Sequence, residues 1–176
     1  MLACACTVGG LFALTSSGQA IGCWAEAATR YQINPNLLYA IAKCESDLRP
    51  TALNRTGVGT YDIGLMQINS SHLRKLASFG ITERQLYDDC TNIHVGAWIL
   101  AEMIRRHGFS WEAIGAYNAA CTQRRGKACE AARSKYSWCV YRNLPKSASW
   151  DFETSYAASF GTSTPMTPLI AIRVAR

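Results

Sequence analysis

The sequence predicts a predominantly helical α+β domain with one small β-hairpin lobe, and three observations carry that expectation. Between Cys23 and Leu144 the apolar residues recur mostly at helical spacing, a polar glycine-containing stretch from Thr51 to Tyr61 interrupts them, and beyond Pro145 the periodicity stops. With 176 residues, 49% of them hydrophobic, the chain has the material for one sizeable core. Charged residues at 17% and a mean hydropathy of -0.03 exclude both a disordered polyelectrolyte and a multi-span membrane protein.

Each element has its own signal. Trp24, Ala27, Ala28 and Tyr31 mark the stripe of a first helix. A second starts at Asn34-Pro35, where a proline in the first turn loses no hydrogen bond, runs through Leu37, Leu38, Ile41 and Ala42 towards Glu45, and is closed by Pro50. The polar segment that follows predicts a hairpin or irregular loop. Helical spacing returns over Ser71 to Phe79 and over Thr82 to Tyr87, where Thr82 and Gln85 stand in capping-box positions. A longer helix is expected from Thr91 to His107, apolar at Val95, Trp98, Ile99 and Met103 and ended by Gly108. Ser110 caps the next, which carries Trp111, Ile114, Ala116 and Tyr117, and a last helix spans Ala128 to Arg142.

The first twenty residues hold no charged side chain. A short apolar run from Val8 to Leu14 gives way to small and polar residues ending in Gly18-Gln19-Ala20, so residues 1–20 read as a secretory signal cleaved after Ala20, although the usual basic n-region is missing. The run is too short to span a membrane. The expected organisation is thus a signal over 1–20, a folded domain over 21–144 and a loosely ordered tail over 145–176, with a periplasmic or secreted destination.

Of eight cysteines, Cys4 and Cys6 would leave with the signal. The remaining six, Cys23, Cys44, Cys90, Cys121, Cys129 and Cys139, fit an oxidising compartment. Six cysteines allow fifteen pairings, and spacing does not choose among them. No C-x-x-C occurs, and His72, His94 and His107 lie far from any cysteine in sequence, so no metal site is expected. The histidines read as surface or capping residues, and Trp98 and Trp111 as core. The net charge of +6 suits nucleic acid, acidic lipid or an anionic wall polymer. Its basic residues are scattered, densest at Arg124, Arg125 and Lys127, and read as a solvated face rather than a nucleic-acid surface.

Two carboxyls stand out. Glu45 ends an apolar helical stripe at the margin of the core, where desolvation raises a carboxyl pKa and keeps a proton available near neutrality. Asp62 lies seventeen residues on, at the exit of the polar loop. A helix end and a following strand can set two acids across a cleft, as glycoside cleavage requires: one proton donor, and one anion facing the developing oxocarbenium ion. Two acids so spaced are commonplace, and spacing alone decides nothing.

The residues around them are more specific. Cys44-Glu45-Ser46, then Tyr61-Asp62-Ile63-Gly64-Leu65-Met66-Gln67-Ile68-Asn69, then Gly115-Ala116-Tyr117-Asn118-Ala119 resemble, in order, the three signature segments of the lytic transglycosylases with a lysozyme-like SLT domain. The resemblance spans Cys23 to about Leu144 and looks closest to the small peptidoglycan-lytic enzymes of conjugative, pilus and type III or type IV secretion machines. It implies a lysozyme-like fold, peptidoglycan glycan strands as substrate, no cofactor, and one of those secretion machines as partner.

By this resemblance Glu45 is the catalytic acid. Ser46, Met66, Gln67 and Asn69 bind substrate, with Met66 lining a sugar subsite, and Tyr117 and Asn118 hold the glutamate and the sugar. Ala120 and Cys121 stand where the family often has glycine. Asp62 is similar in placement to the second carboxylate of chicken-type lysozymes, so the product is either a 1,6-anhydro ring or, if water is admitted, a reducing end. Retaining hydrolysis sets its two carboxyls about 5 to 5.5 Å apart. A third possibility is a non-catalytic wall-binding or assembly module. The resemblance also implies pairing of Cys23 with Cys90 and of Cys44 with Cys139, with Cys121 and Cys129 closing the basic loop between them.

Overall fold

The computed structural model describes residues 17–56, 59–121 and 125–146. The expected signal segment up to residue 16 and the expected tail from residue 147 lie outside the described residues. Six helices and one small sheet make up the described architecture: α1 (Ser17–Tyr31), α2 (Pro35–Ser46), β1 (Leu53–Arg55), β2 (Tyr61–Ile63), β3 (Ile68–Asn69), α3 (Leu73–Ala77), α4 (Asp89–His107), α5 (Trp111–Asn118) and α6 (Lys127–Asn143). None of the described helices is long and apolar enough to cross a membrane.

The centre of the molecule is α4. Its residues Asn92 to Leu100 are all buried, the pattern of a helix covered on every side. Leu37, Leu38 and Ile41 of α2, Ile63, Met66 and Ile68 of the sheet lobe, Ile114 of α5 and Val140 of α6 join it in one core. Trp98 lies in this core at 4% exposure. His94 also lies within it, edge-on to Tyr31 at 6.1 Å, rather than on the surface as its place in the sequence suggested. Burial holds its pKa below the ordinary histidine value.

Disulfides tie the helical part together. Cys23 of α1 is bonded to Cys90 of α4 and Cys44 of α2 to Cys139 of α6, while Cys121–Cys129 closes the loop ahead of α6.

Helix ends follow the capping chemistry, with one change. The Asn34 side chain accepts a hydrogen bond from the Asn36 N–H at 2.9 Å ahead of Pro35. The far end of α2 is set four residues before Pro50, because Asp47 and Leu48 both turn into the left-handed region, with φ of 56° and 61°. The helix therefore stops directly after Glu45 and Ser46.

The sheet is antiparallel in the order β1-β2-β3, with Asn54 opposite Asp62 and Asp62 opposite Asn69. Directly paired residues share a face, so three polar side chains line up on one side of the sheet. Gly64 makes the turn out of β2 at φ 75°, where a Cβ would lie 2.7 Å from the Leu86 carbonyl and collide with the Asn92 amide.

Between sheet and α4 the expected helices are shorter than the sequence suggested. The segment from Ser71 to Phe79 divides into a 3₁₀ turn, Ser70–His72, and the five residues of α3. Thr82 to Tyr87 forms a single 3₁₀ run over Glu83–Tyr87 with its Thr82–Gln85 capping box in place. It stops because Asp88 adopts extended backbone to cap α4, its carboxylate accepting the Thr91 N–H at 2.9 Å, so α4 begins at Asp89.

Candidate active site

The cleft lies between the sheet and the helices, with a volume of about 590 Å³, inside the roughly 300–1,000 Å³ range of small-ligand sites. Glu45, Asp62, Gln67, Asn69, Tyr117 and Asn118 line it together, although they come from four elements and one turn spread over more than seventy residues.

Glu45 stands at the penultimate position of α2. Ser46 beside it does not face the cleft: its hydroxyl is buried, donates to the Leu65 carbonyl at 2.8 Å and accepts the Arg49 N–H at 3.1 Å. That clamp fixes the end of α2 to the loop after β2 and so sets Glu45 against the sheet. The expectation that Ser46 binds substrate is corrected accordingly.

The Glu45 carboxyl accepts a hydrogen bond from the Tyr136 hydroxyl at 2.6 Å and another from the Asn118 side chain. Burial pushes its pKa up to about 7. Those two hydrogen bonds favour the ionised form and pull the other way, while the negative charge of Asp62 adds to the rise. Burial, reinforced by the charge of Glu45, holds Tyr117 and Tyr136 well above the ordinary tyrosine pKa, so both remain neutral hydroxyl donors.

The opposite wall is built from amides. Asp62 accepts the Asn69 Nδ2–H at 2.7 Å, and Asn69 Oδ1 in turn accepts the Ser71 N–H at 3.0 Å. Gln67 sits at φ 49°; its Nε2 donates to the Gly64 carbonyl at 2.8 Å and its Oε1 accepts Asn54 Nδ2–H at 2.6 Å. Thr56 and Thr60, joined Oγ1 to Oγ1 at 2.6 Å, form the rim.

Two further expectations change. Met66 lines no sugar subsite: its side chain is fully buried and packs so closely on α4 that a Cβ at Gly96 would lie 2.7 Å from it. Tyr117 does not bond Glu45; its hydroxyl donates to the Met66 carbonyl at 2.8 Å, and its ring stacks on Tyr136 at 6.4 Å and 16°. Tyr117 thus braces the floor of the cleft.

Sequence reasoning missed Tyr136, Asn92 and His72. Tyr136 had a signal, since it lies one turn before Cys139 on α6, whose bond to Cys44 brings that turn beside Glu45. Asn92 had none. Its Nδ2 donates to the Ile63 and Leu86 carbonyls at 2.9 and 2.7 Å, and its Oδ1 accepts the Met66 N–H at 2.7 Å, fastening the cleft floor to α4. His72 lines the cleft and packs edge-on against Trp98 at 6.2 Å.

Comparison with known proteins agrees with this architecture. The model of the transglycosylase SLT domain matches residues 22–138. Invasion protein IagB of Salmonella typhi is 43% identical over 125 residues, covering 70% of this chain and 76% of that protein. Protein IpgF of Shigella flexneri is 39% identical over 121 residues, 68% of this chain and 77% of its own. X polypeptide of Escherichia coli is 41% identical over 125 residues, 70% and 73% respectively. Among solved structures, an inactive mutant of the lytic transglycosylase Slt from Pseudomonas aeruginosa superposes with a TM-score of 0.53 at 24% identity, over 70% of this chain and 23% of that one, a likeness of fold. The chain belongs to the transglycosylase SLT domain family and is a peptidoglycan lytic transglycosylase.

Proposed function

We propose that this enzyme cleaves the β-1,4 bond between N-acetylmuramic acid and N-acetylglucosamine with Glu45 as both acid and base. Protonated Glu45 gives its hydrogen to the glycosidic oxygen as the bond breaks, and the glucosamine-side fragment leaves with a new hydroxyl. The resulting carboxylate then takes the proton of the muramoyl C6 hydroxyl as that oxygen closes on the cationic C1. The product is a 1,6-anhydro ring, and the enzyme regains its proton without consuming water. The observation that carries the reading is a buried carboxyl in the cleft, held by the Tyr136 hydroxyl and the Asn118 side chain and pushed by burial to a pKa of about 7, placed to give and retake one proton at neutral pH. Tyr136 and Asn118 orient it and stabilise its ionised form. Asp62, facing the same cleft, supports the cation.

Mass spectrometry of muropeptides released from purified sacculi tests this. Anhydro products, lighter by one water than reducing ends, are expected from the wild type, and none from Glu45→Gln. Reducing ends alone would establish a hydrolytic muramidase instead, the reading that a second cleft carboxylate favours. Equal release by Glu45→Gln would overturn Glu45 as the catalytic acid, and no release by either protein would leave only a non-catalytic wall-binding role.

The biological setting we infer is local opening of the wall for a secretion, conjugation or pilus apparatus, after export directed by residues 1–20. The name of the IagB relative as an invasion protein supports the first, and three disulfides support an oxidising compartment. Recovery of the processed chain in the periplasmic or culture fraction checks the second.

A further inference from the structure

A second cavity, of about 470 Å³, lies between α5 and α6 and includes neither Glu45 nor Asp62 in its lining. One side of α6 supplies it: Glu130, Arg133, Ser134, Ser137, Trp138 and Tyr141 recur at helical spacing. Trp111 and Glu112 of α5 face them. Trp138 is 58% and Tyr141 50% exposed, unusual for rings of their size. Both indoles meet Tyr141 edge-on, at 5.4 Å and 87° for Trp138 and at 5.7 Å and 77° for Trp111, so the three rings hold one another in place without face-to-face stacking.

The other end of the groove is polar. Arg133 is ion-paired with Glu112, and its Nε donates to the Ala119 carbonyl at 3.0 Å. Ala119 itself lines the catalytic cleft, and Gly115 lets α5 lie directly on Arg133, so groove and cleft share a wall. With two carboxylates against one already paired guanidinium, the groove is locally acidic on a chain of net charge +6. It therefore disfavours the anionic peptide stems of the wall. What fits is an uncharged body with one apolar face and a hydroxyl and amide rim: an N-acetylated pyranose, its C–H face on an aromatic ring and its rim towards Glu112, Glu130 and Ser134.

We propose that the α5–α6 groove is a second, non-catalytic glycan site that holds one or two N-acetylated sugar rings of the wall polymer while the cleft works on another stretch. The proposal rests on peptidoglycan being the substrate, not on which residue cuts it.

The test uses the full chain as Glu45→Gln, titrated calorimetrically with chitohexaose and co-sedimented with purified sacculi. Two saccharide sites are expected, one of which disappears in Glu45→Gln/Trp138→Ala, with sacculus affinity falling five- to tenfold. Ser134→Trp, which fills the groove from its exposed rim, removes the same site by obstruction and so separates binding from any loss of folding in the first variant. One saccharide site in every protein, or sacculus affinity unchanged within twofold, overturns the proposal. So does loss of a dimer in Trp138→Ala with saccharide binding intact, since the groove would then be an interface between copies. Soluble fragments released by Glu45→Gln would overturn the catalytic role of Glu45 and leave the site count readable.

Discussion

The helical wall of the cleft is held by disulfides and apolar packing, whereas the sheet wall is held by side-chain amides. All six cysteines of the described residues lie outside β1–β3, and the helix that presents Glu45 is bonded to α6 through the residue next to it, Cys44. Across the cleft, Asn54, Gln67, Asn69 and Asn92 do the fastening through hydrogen bonds of 2.6 to 2.9 Å. Three strands of two or three residues cannot bury enough apolar surface to stand alone. Polar clamps add to the anchorage that Ile63, Met66 and Ile68 give in the core, and they leave amide and carboxylate groups facing the cleft.

Setting one wall's acid against the other's has the largest expected effect. Glu45→Gln lowers fragment release from sacculi by at least about a hundredfold, the scale of a lost general acid. Asp62→Asn lowers it severely but leaves it measurable. Near-normal turnover by Asp62→Asn would show that the sheet wall contributes shape rather than charge.

Stability sharpens the contrast next. Removing Cys44–Cys139, which closes 95 residues, costs up to about 4.7 kcal/mol on loop-entropy grounds, against about 2.5 kcal/mol for Cys121–Cys129, which closes 8. Denaturant unfolding of the paired Cys→Ser variants measures both. Asn92→Ala leaves three buried backbone groups unpaired and costs about 2–4 kcal/mol, comparable with Leu38→Ala in the apolar core. If Asn92→Ala costs under about 1 kcal/mol, the amide clamp is not what orders the sheet.

The pH dependence is the most local effect. The unfolded chain releases the Glu45 proton near pH 4.3 and the folded chain only near 7. Raising the pH through that window therefore costs the folded state about 3.5 kcal/mol. Glu45→Gln escapes this cost, so its stability relative to wild type increases from pH 4 to pH 8 in urea titrations. In the wild type, kcat/KM falls above about pH 7. Tyr136→Phe removes a hydrogen bond to the ionised form, so that alkaline limb moves to higher pH, whereas a residue that only packed would leave it in place.

The difference between the walls also explains what the sequence made legible. Helical periodicity exposed α1, α2, α4, α5 and α6, because each runs for two turns or more with apolar residues at helical spacing. Between Ser70 and Asp88 the sequence predicts two helices where the structure has a 3₁₀ turn, the five-residue α3 and a 3₁₀ run, since a one-turn 3₁₀ run has no period long enough to differ from an α-helix. Motif membership brought Met66 and Ser46 into the expected site because it says that a residue is constrained, not which way its side chain faces. Both are constrained by burial. Asn92 was invisible because a buried amide is recognised by three carbonyl and amide partners from distant segments, none of them a side-chain pattern.

The contact between Gly96 and Met66 has one further consequence. Every heavier residue at position 96 would drive into Met66, whose carbonyl anchors Tyr117 and whose neighbour is Gln67. The absent methyl group on the central helix thus lets Met66 lie flush on α4 and keeps in place the backbone that carries Gln67 and anchors Tyr117 at the cleft.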